Sequence, residues 1–410
     1  MTEPMLFREL TARPVPAELR GELTGAARSL TDALRPRLKL LEVDGDSVTM
    51  QNFVGSARLA SDSILEVSPK VDASTNWAEA VVQLLEPDTR IAVTGSMRST
   101  PSARNNDLSS ALALEYARRL ESALRSDGSL HVYEHLHKRS RRLQGRLDVT
   151  KWVRSAVLNP AMFPISRDEL TPANDFNRGL SIVAGWLSRA ASDAVLHARL
   201  RRLQAAVIPG HPVPTYVNPA VAARTIPSQW ARFVPAWSIA ASLLRNRSVV
   251  GDPGRAVGLE VAVESWPLLE TALKRALLEL ARTGGYGTVP KANHPILRFE
   301  EREVSSVIPD GILTRDGAVV ATFECKYTRP SQTPDSAHVY QALATAAALS
   351  SPLSVLVYPG TGEVRRHTTV GFNGRPAELV SLGLDVFSYR RGIGDVERAA
   401  KISAAVHDDD

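Results

Sequence analysis

Apolar and polar positions alternate in three short runs near the start of the chain, at 38–43, 47–53 and 64–67, and each reads as a strand. Asp44-Gly45-Asp46 supplies the turn between the first two. Residues 76–85 (NWAEAVVQLL) change to helical spacing, which predicts a helix packed back on those strands. Residues 1 to about 95 therefore read as mostly β after a short opening segment.

The pattern then turns helical. A polar stretch at 100–106 carries Pro101 and two asparagines and reads as a loop. Asp107 or Ser109 can cap a helix reaching about residue 125, with Leu108, Leu112, Tyr116 and Leu120 on one face and Asp127-Gly128 ending it. Residues 129–155 return to extended character. Helical spacing resumes over 174–206 and 237–244, and between these lie Pro209, Pro212, Pro214, Pro219 and Pro227, which enforce irregular backbone.

Asp252-Pro253-Gly254 marks a boundary. Beyond it the pattern predicts a helix at 266–282, strands at 305–313 and 318–327, a helix at 335–350 and a strand at 353–358. The expected fold is a multidomain mixture of α/β and α+β. It comprises an N-terminal mostly β domain over 1–155, a helical connecting segment over 156–250, and a compact α/β domain over 251–410. There is no internal repeat, and the acidic tail 408–410 is the one biased tract.

Composition narrows the class. The 410 residues are 44% hydrophobic and 23% charged, an ordinary soluble globular balance. The net charge of +5 is compatible with a polyanion partner, but the location of the charge decides. Basic residues cluster locally, in Lys138-Arg139-Ser140-Arg141-Arg142, in Arg199 with Arg201-Arg202, and in Arg390-Arg391. Any one such cluster reads first as a solvated face. The single cysteine, Cys325, excludes an intrachain disulfide and a thiolate-rich metal site. The opening MTEPMLFREL lacks a secretory pattern, and no apolar run approaches the roughly 18 residues of a membrane span, so a cytoplasmic protein is expected.

Candidate chemistry concentrates late in the chain. Val307-Ile308-Pro309-Asp310-Gly311-Ile312-Leu313 is an apolar run with one carboxylate, and Asp316-Gly317 is a strong hairpin signal. In the following run, residues 318–327, strand alternation puts Glu324 and Lys326 on one face and Cys325 on the other. The hairpin brings Asp310 toward Glu324. Two neighbouring carboxylates repel unless a cation neutralises them, and a hard divalent ion with oxygen ligands, most simply Mg²⁺, does so while keeping waters for chemistry. A lysine beside it can orient the attacking water and offset charge on a phosphate. The competing reading is an ordinary Glu324–Lys326 ion pair on an edge strand. Two apolar strands joined by a turn, then an apolar helix and a further buried strand, favour a metal-dependent nuclease site of the PD-(D/E)xK type.

Two more side chains are candidates. Glu270, on the helix opening this domain, can add a metal or water contact, or is simply a solvated helix carboxylate. Gln341, on the helix after the lysine, can reach the site or a phosphate. His131-Val132-Tyr133-Glu134-His135 spells the H-x-x-E-H of inverted zinc peptidases, but β-branched and aromatic residues there predict a strand, which separates Glu134 from both histidines.

Several stretches together resemble the McrC family, the nuclease subunit of the McrBC modification-dependent restriction system. They are Val54-Gly55, then Ile64-Leu65-Glu66-Val67-Ser68-Pro69-Lys70-Val71, Gln144-Gly145-Arg146-Leu147-Asp148-Val149, and Asp175-Phe176-Asn177-Arg178. Pro309-Asp310, Glu324-Cys325-Lys326-Tyr327 and Val355-Leu356-Val357-Tyr358-Pro359 complete the set, in order. Where the commonest family form reads D-A-K-Y, this chain has Glu324-Cys325-Lys326-Tyr327, which still fits the general nuclease pattern. The longer, proline-rich middle segment is a further departure.

The resemblance implies that the N-terminal half docks on a McrB-like hexameric AAA+ GTPase and stimulates its hydrolysis. The restriction-endonuclease-like C-terminal domain would cut double-stranded DNA through Asp310, Glu324 and Lys326. It also favours the basic run at 138–146 as a probe into the partner ring over a solvated loop or a DNA contact. Independently, no G-x-x-x-x-G-K-[S/T] occurs, so nucleotide dependence must come from a partner. A non-cleaving activator of the GTPase and a standalone nuclease in another defence or repair system are the alternative expectations.

Overall fold

The strand Glu260–Glu264, buried along its whole length, enters a sheet whose other strands all come from the first 94 residues. The order is Met5–Arg8, Ile64–Ser68, Phe53–Arg58, Glu260–Glu264, Ile91–Thr94. Ala262 faces Gly55 in an antiparallel register. Gly55 has φ +117°, and a Cβ there would sit 2.2 Å from the Val261 carbonyl oxygen, so this crossing accepts only glycine. The computed structural model describes residues 5–35, 37–61, 63–71, 76–86, 89–94, 108–191, 193–246, 260–329, 331–370 and 378–407.

Contacts divide the chain into two units. One combines 1–99, 104–112 and 260–410, and the other is built mainly from 113–259. The expected partition into 1–155, 156–250 and 251–410 does not follow these units. The reason is the Glu260–Glu264 strand: its hydrogen bonds to Phe53–Arg58 and Ile91–Thr94 join the late part of the chain to the early sheet. The 100–106 loop, Asp107 and the Asp252-Pro253-Gly254 boundary lie outside the described residues.

In the first unit, the expected helix at 76–85 is found as Trp77–Leu84. The opening segment is not merely a lead-in. It holds an 18-residue helix, Ala17–Leu34, whose Leu23, Leu30 and Leu34 are buried in a core with Val48, Phe53, Leu65 and Val67. Its apolar side chains are sparse and separated by alanine and glycine, so the periodicity is weak. The strands Ala12–Pro14, Leu41–Asp44 and Ser47–Met50 form a separate small sheet.

The later part of this unit carries a six-stranded sheet ordered Gly287–Thr288, Gly311–Arg315, Ala318–Cys325, Leu353–Pro359, Glu378–Leu384, Arg365–Thr368. Ala318–Cys325 and Leu353–Pro359 are parallel, joined through the helix Ser336–Ala348, and Leu353–Pro359 is buried throughout. The helices Trp266–Gly284 and Ile393–Val406 pack together. One correction concerns the strand expected over 305–313. It is two strands: Arg302–Val307 pairs with His294–Phe299 in its own ribbon, and Gly311–Arg315 joins the main sheet. Pro309 has no N–H to give a ladder, and the chain changes sheets there.

In the second unit, Tyr116 and Leu120 lie buried on the later part of the helix Leu108–Asp127, and the Tyr116 hydroxyl donates to the Leu180 carbonyl at 2.6 Å. A three-stranded sheet runs Val132–Ser140, Phe163–Thr171, Arg146–Leu147. The segment 156–250 is thus not purely helical, since Phe163–Thr171 is a nine-residue strand. Conversely, Val149–Ala156, within the stretch expected to be extended, is a helix capped by Asp148, whose side chain accepts the Lys151 N–H at 3.0 Å. The Asp175-Phe176-Asn177-Arg178 stretch does open a helix, with Asn174 as its cap and Asn177 fully buried, donating to the Leu130 and Pro172 carbonyls. The proline-rich segment holds two 3₁₀ turns, Pro219–Ala223 and Ser228–Phe233. Among the described residues no helix is long and apolar enough to cross a membrane.

Candidate active site

Asp310 stands at the break between sheets, immediately before Gly311–Arg315. Its N–H donates to the Phe323 carbonyl at 3.0 Å, which fixes it beside the end of Ala318–Cys325. Its carboxylate is held at both oxygens: Oδ2 accepts the Cys325 N–H at 2.8 Å and Oδ1 accepts Lys291 Nζ at 2.7 Å. Lys291 also donates to Glu270 Oε2 at 2.5 Å, so one ammonium bridges two carboxylates from different elements.

Glu324 lies two residues before Lys326 and is only 2% exposed. Thr345 Oγ1 donates to its Oε1 at 2.8 Å, and Gln341 Nε2 to its Oε2 at 2.9 Å. Lys326 Nζ is 3.6 Å from Glu324 Oε2 and donates to Gln341 Oε1 at 2.6 Å. Gln341 therefore binds acid and lysine at once, through its amide nitrogen and its carbonyl. All five residues expected from the sequence, Asp310, Glu324, Lys326, Glu270 and Gln341, fall in two adjoining networks joined through the Cys325 backbone.

The electrostatics follow from this crowding. Burial pushes the Glu324 carboxyl up, and Asp310 adds to the rise, against the hydrogen bond from Thr345 and the charge of Lys326. Burial and then Asp310 likewise raise Glu270, with Lys291 pulling the other way. Burial alone would lower Lys291, but its bonds to Asp310 and Glu270 win and hold it up at about 12. Burial pushes the Cys325 thiol well above its ordinary range, so it is no thiolate ligand. The site thus concentrates negative charge that its own lysines only partly offset.

Glu270, Lys291 and Asp310 line a cavity of about 620 Å³. Arg35, Arg90 and Trp266 line it as well. Sequence reading missed Lys291, which follows Pro290 in an irregular stretch and carries no periodic signal. It also missed Thr345, although Gln341 and Thr345 are one helical turn apart and so share a face. Among the described residues no group of three or more His, Cys, Asp or Glu side chains is gathered to hold a metal. Glu134 and His135 lie on the strand Val132–Ser140, and His135 pairs with Asp168 at 2.9 Å, an arrangement unlike a zinc helix.

The family model for the McrBC 5-methylcytosine restriction system component matches residues 48–359. No curated protein matches the chain. In fold, the chain is similar to a chain of the refined half-complex from the tetradecameric assembly of Thermococcus gammatolerans McrB AAA+ hexamers with bound McrC. That match has a TM-score of 0.63 at 15% identity, covering 98% of this chain and 99% of the other. A chain of the Thermococcus gammatolerans McrBC complex gives a TM-score of 0.47 at 16% identity, covering 68% of this chain and 88% of the other. With a family match over well more than half its length, this chain belongs to the McrBC 5-methylcytosine restriction system component family.

Proposed function

We propose that this chain is the Mg²⁺-dependent endonuclease subunit of a McrBC-like restriction system, hydrolysing phosphodiesters of double-stranded DNA at a PD-(D/E)xK site. The observation that carries this is the pairing of Asp310 with the end of the Ala318–Cys325 strand, which gathers Asp310, Glu324 and Lys326 on adjoining backbone. The fold similarity to a chain of an assembly of McrB AAA+ hexamers with bound McrC supports a second role, docking on such a hexamer and stimulating its GTP hydrolysis.

The residues suit Mg²⁺. Their donors are oxygens, two carboxylates are enough for an ion that keeps most of its waters, and Glu324 is an acid whose charge is costly where it sits. Asp310 and Glu324 would hold the ion, which when bound supplies charge neutralisation and a water of lowered pKa. Asp310 is oriented for this by the Cys325 N–H, and Glu324 by Thr345 and Gln341. Lys326 stabilises the charge that develops on the phosphate and orients the attacking water. Gln341 keeps Lys326 in register with Glu324. Glu270 is a reserve carboxylate, bridged to Asp310 by Lys291.

The test is cleavage of methylated duplex DNA by the purified chain with its AAA+ partner and GTP. The expected result is double-strand cutting with Mg²⁺ and none with EDTA. Equal cutting in EDTA, or intact DNA under every condition, would defeat the proposal.

A further inference from the structure

Two stretches marked by the sequence, Pro69-Lys70 and Lys326-Tyr327, have no part in the chemistry above, except for Lys326 itself. They meet in the interior of the first unit. Lys70 is 2% exposed, and its ammonium donates to the Tyr327 carbonyl and lies 3.5 Å from the centroid of the Tyr327 ring. Beside it is Glu9, fully buried, directly after the strand Met5–Arg8. Its carboxylate accepts three hydrogen bonds: from the Tyr327 hydroxyl at 2.9 Å, the Ser265 hydroxyl at 2.7 Å and the Asn52 N–H at 2.9 Å. Arg329 adds a bond from Nε to the Lys70 carbonyl at 3.3 Å and one to Thr11 Oγ1 at 3.1 Å.

A carboxylate and an ammonium buried this deeply are costly unless fully partnered, so their partners are held strongly in place. Those partners sit next to the candidate machinery. Tyr327 follows Lys326 directly, and Ser265 precedes the helix Trp266–Gly284 that carries Glu270. The Lys326 N–H is tied on the other side to the Val357 carbonyl at 2.8 Å. Lys326 is therefore fixed by the sheet before it and by Glu9 and Lys70 after it.

We infer that Glu9, Lys70 and Tyr327 form a positioning network through which the N-terminal sheet sets the place of Lys326 for DNA cleavage, an inference that rests on the nuclease reading. Its residues do not touch the scissile phosphate. They hold the strand end from which Lys326 projects, and through Ser265 they hold the start of the Glu270 helix. A change in the N-terminal sheet, such as docking of a partner there, would thereby reach the candidate catalytic lysine.

The decisive variant is Tyr327→Phe, which keeps the ring against Lys70 and removes one hydroxyl. In the full chain with its AAA+ partner, the cleavage rate at saturating DNA should fall by about tenfold or more, as for other small misplacements of a reacting group. The DNA concentration giving half-maximal rate should stay near the parent's, the melting temperature should fall while the chain stays folded at the assay temperature, because a buried carboxylate loses a donor, and backbone amide exchange over residues 324–329 should speed up. Glu9→Gln should give the same pattern, and the double variant should lose no more than the larger single effect. Parent-like cleavage by Tyr327→Phe, or parent-like exchange over 324–329, would overturn the inference. If the parent chain itself cuts nothing, the nuclease reading fails separately, and the exchange measurement alone decides whether the network holds this strand end.

Discussion

The Asp310 carboxylate accepts the backbone N–H of Cys325 at 2.8 Å, so the first candidate acid is aimed by the same strand that carries the second. A residue at a sheet-to-sheet break is thereby as firmly oriented as one inside a strand. Its other oxygen is left to Lys291, which also holds Glu270.

On the proposed function, Lys291 would compete with a metal for these carboxylates. In Lys291→Ala, Glu270 and Asp310 lose the ammonium between them, and their mutual repulsion is relieved by a bound divalent ion instead. Calorimetric titration should show Mg²⁺ binding tighter than in the parent by roughly fivefold or more, a coupling of ordinary size for one charge. Weaker binding in the variant would mean that Lys291 supports the ion rather than replacing it.

Lys326→Ala should lower the cleavage rate by on the order of 10²-fold, the usual cost of losing a charge-stabilising or proton-handling group. Mg²⁺ affinity should change little, because the carboxylates remain. A collapse of Mg²⁺ affinity with an unchanged rate would reverse the assigned roles.

The buried carboxylates make metal-free stability fall with pH. Glu324 has a carboxyl raised in the folded state, chiefly by burial, so the folded form prefers it protonated. Its stabilising share is complete below the ordinary carboxylate range and is lost as pH rises through the raised value. Glu324→Gln removes that loss. In EDTA its melting temperature should gain on the parent's as pH increases from about 4, near the reference glutamate value, toward neutrality. A gap independent of pH would contradict the burial argument, while added Mg²⁺ should narrow it by favouring the charged acid in the parent.

Gly55→Ala should destabilise the first unit by about 2–4 kcal/mol, from a strained positive φ together with a Cβ placed against a carbonyl. Chemical denaturation reads this directly. A variant as stable as the parent would mean that the Glu260–Glu264 strand moves aside at little cost.

Much of the site was legible because its signals are local. A turn at Asp316-Gly317 and period-2 alternation were enough to bring Asp310 toward Glu324 and Lys326, and helical spacing put Gln341 on the next element. The pieces that escaped are those fixed by distant contacts. Lys291 has no periodic neighbours, and its role appears only when Glu270 and Asp310 converge on it. The Glu260–Glu264 strand is short, and its place beside Phe53–Arg58 depends on pairing across two hundred residues of chain. The helix Ala17–Leu34 hides behind a dilute apolar pattern that only its tertiary packing makes decisive. Pro309 did carry a signal against one continuous strand over 305–313, and the structure divides that run where the proline falls.

On the proposed function, Asp310 and Glu324 form a metal-dependent cutting site distinct from whatever stimulates the partner. Asp310→Asn tests it most directly, because the amide keeps the shape and removes the charge. In the assembled complex with GTP and Mg²⁺, cleavage of methylated duplex DNA by this variant should be undetectable, with GTP hydrolysis still stimulated to near the parent level. Cleavage at the parent rate by that variant would contradict it.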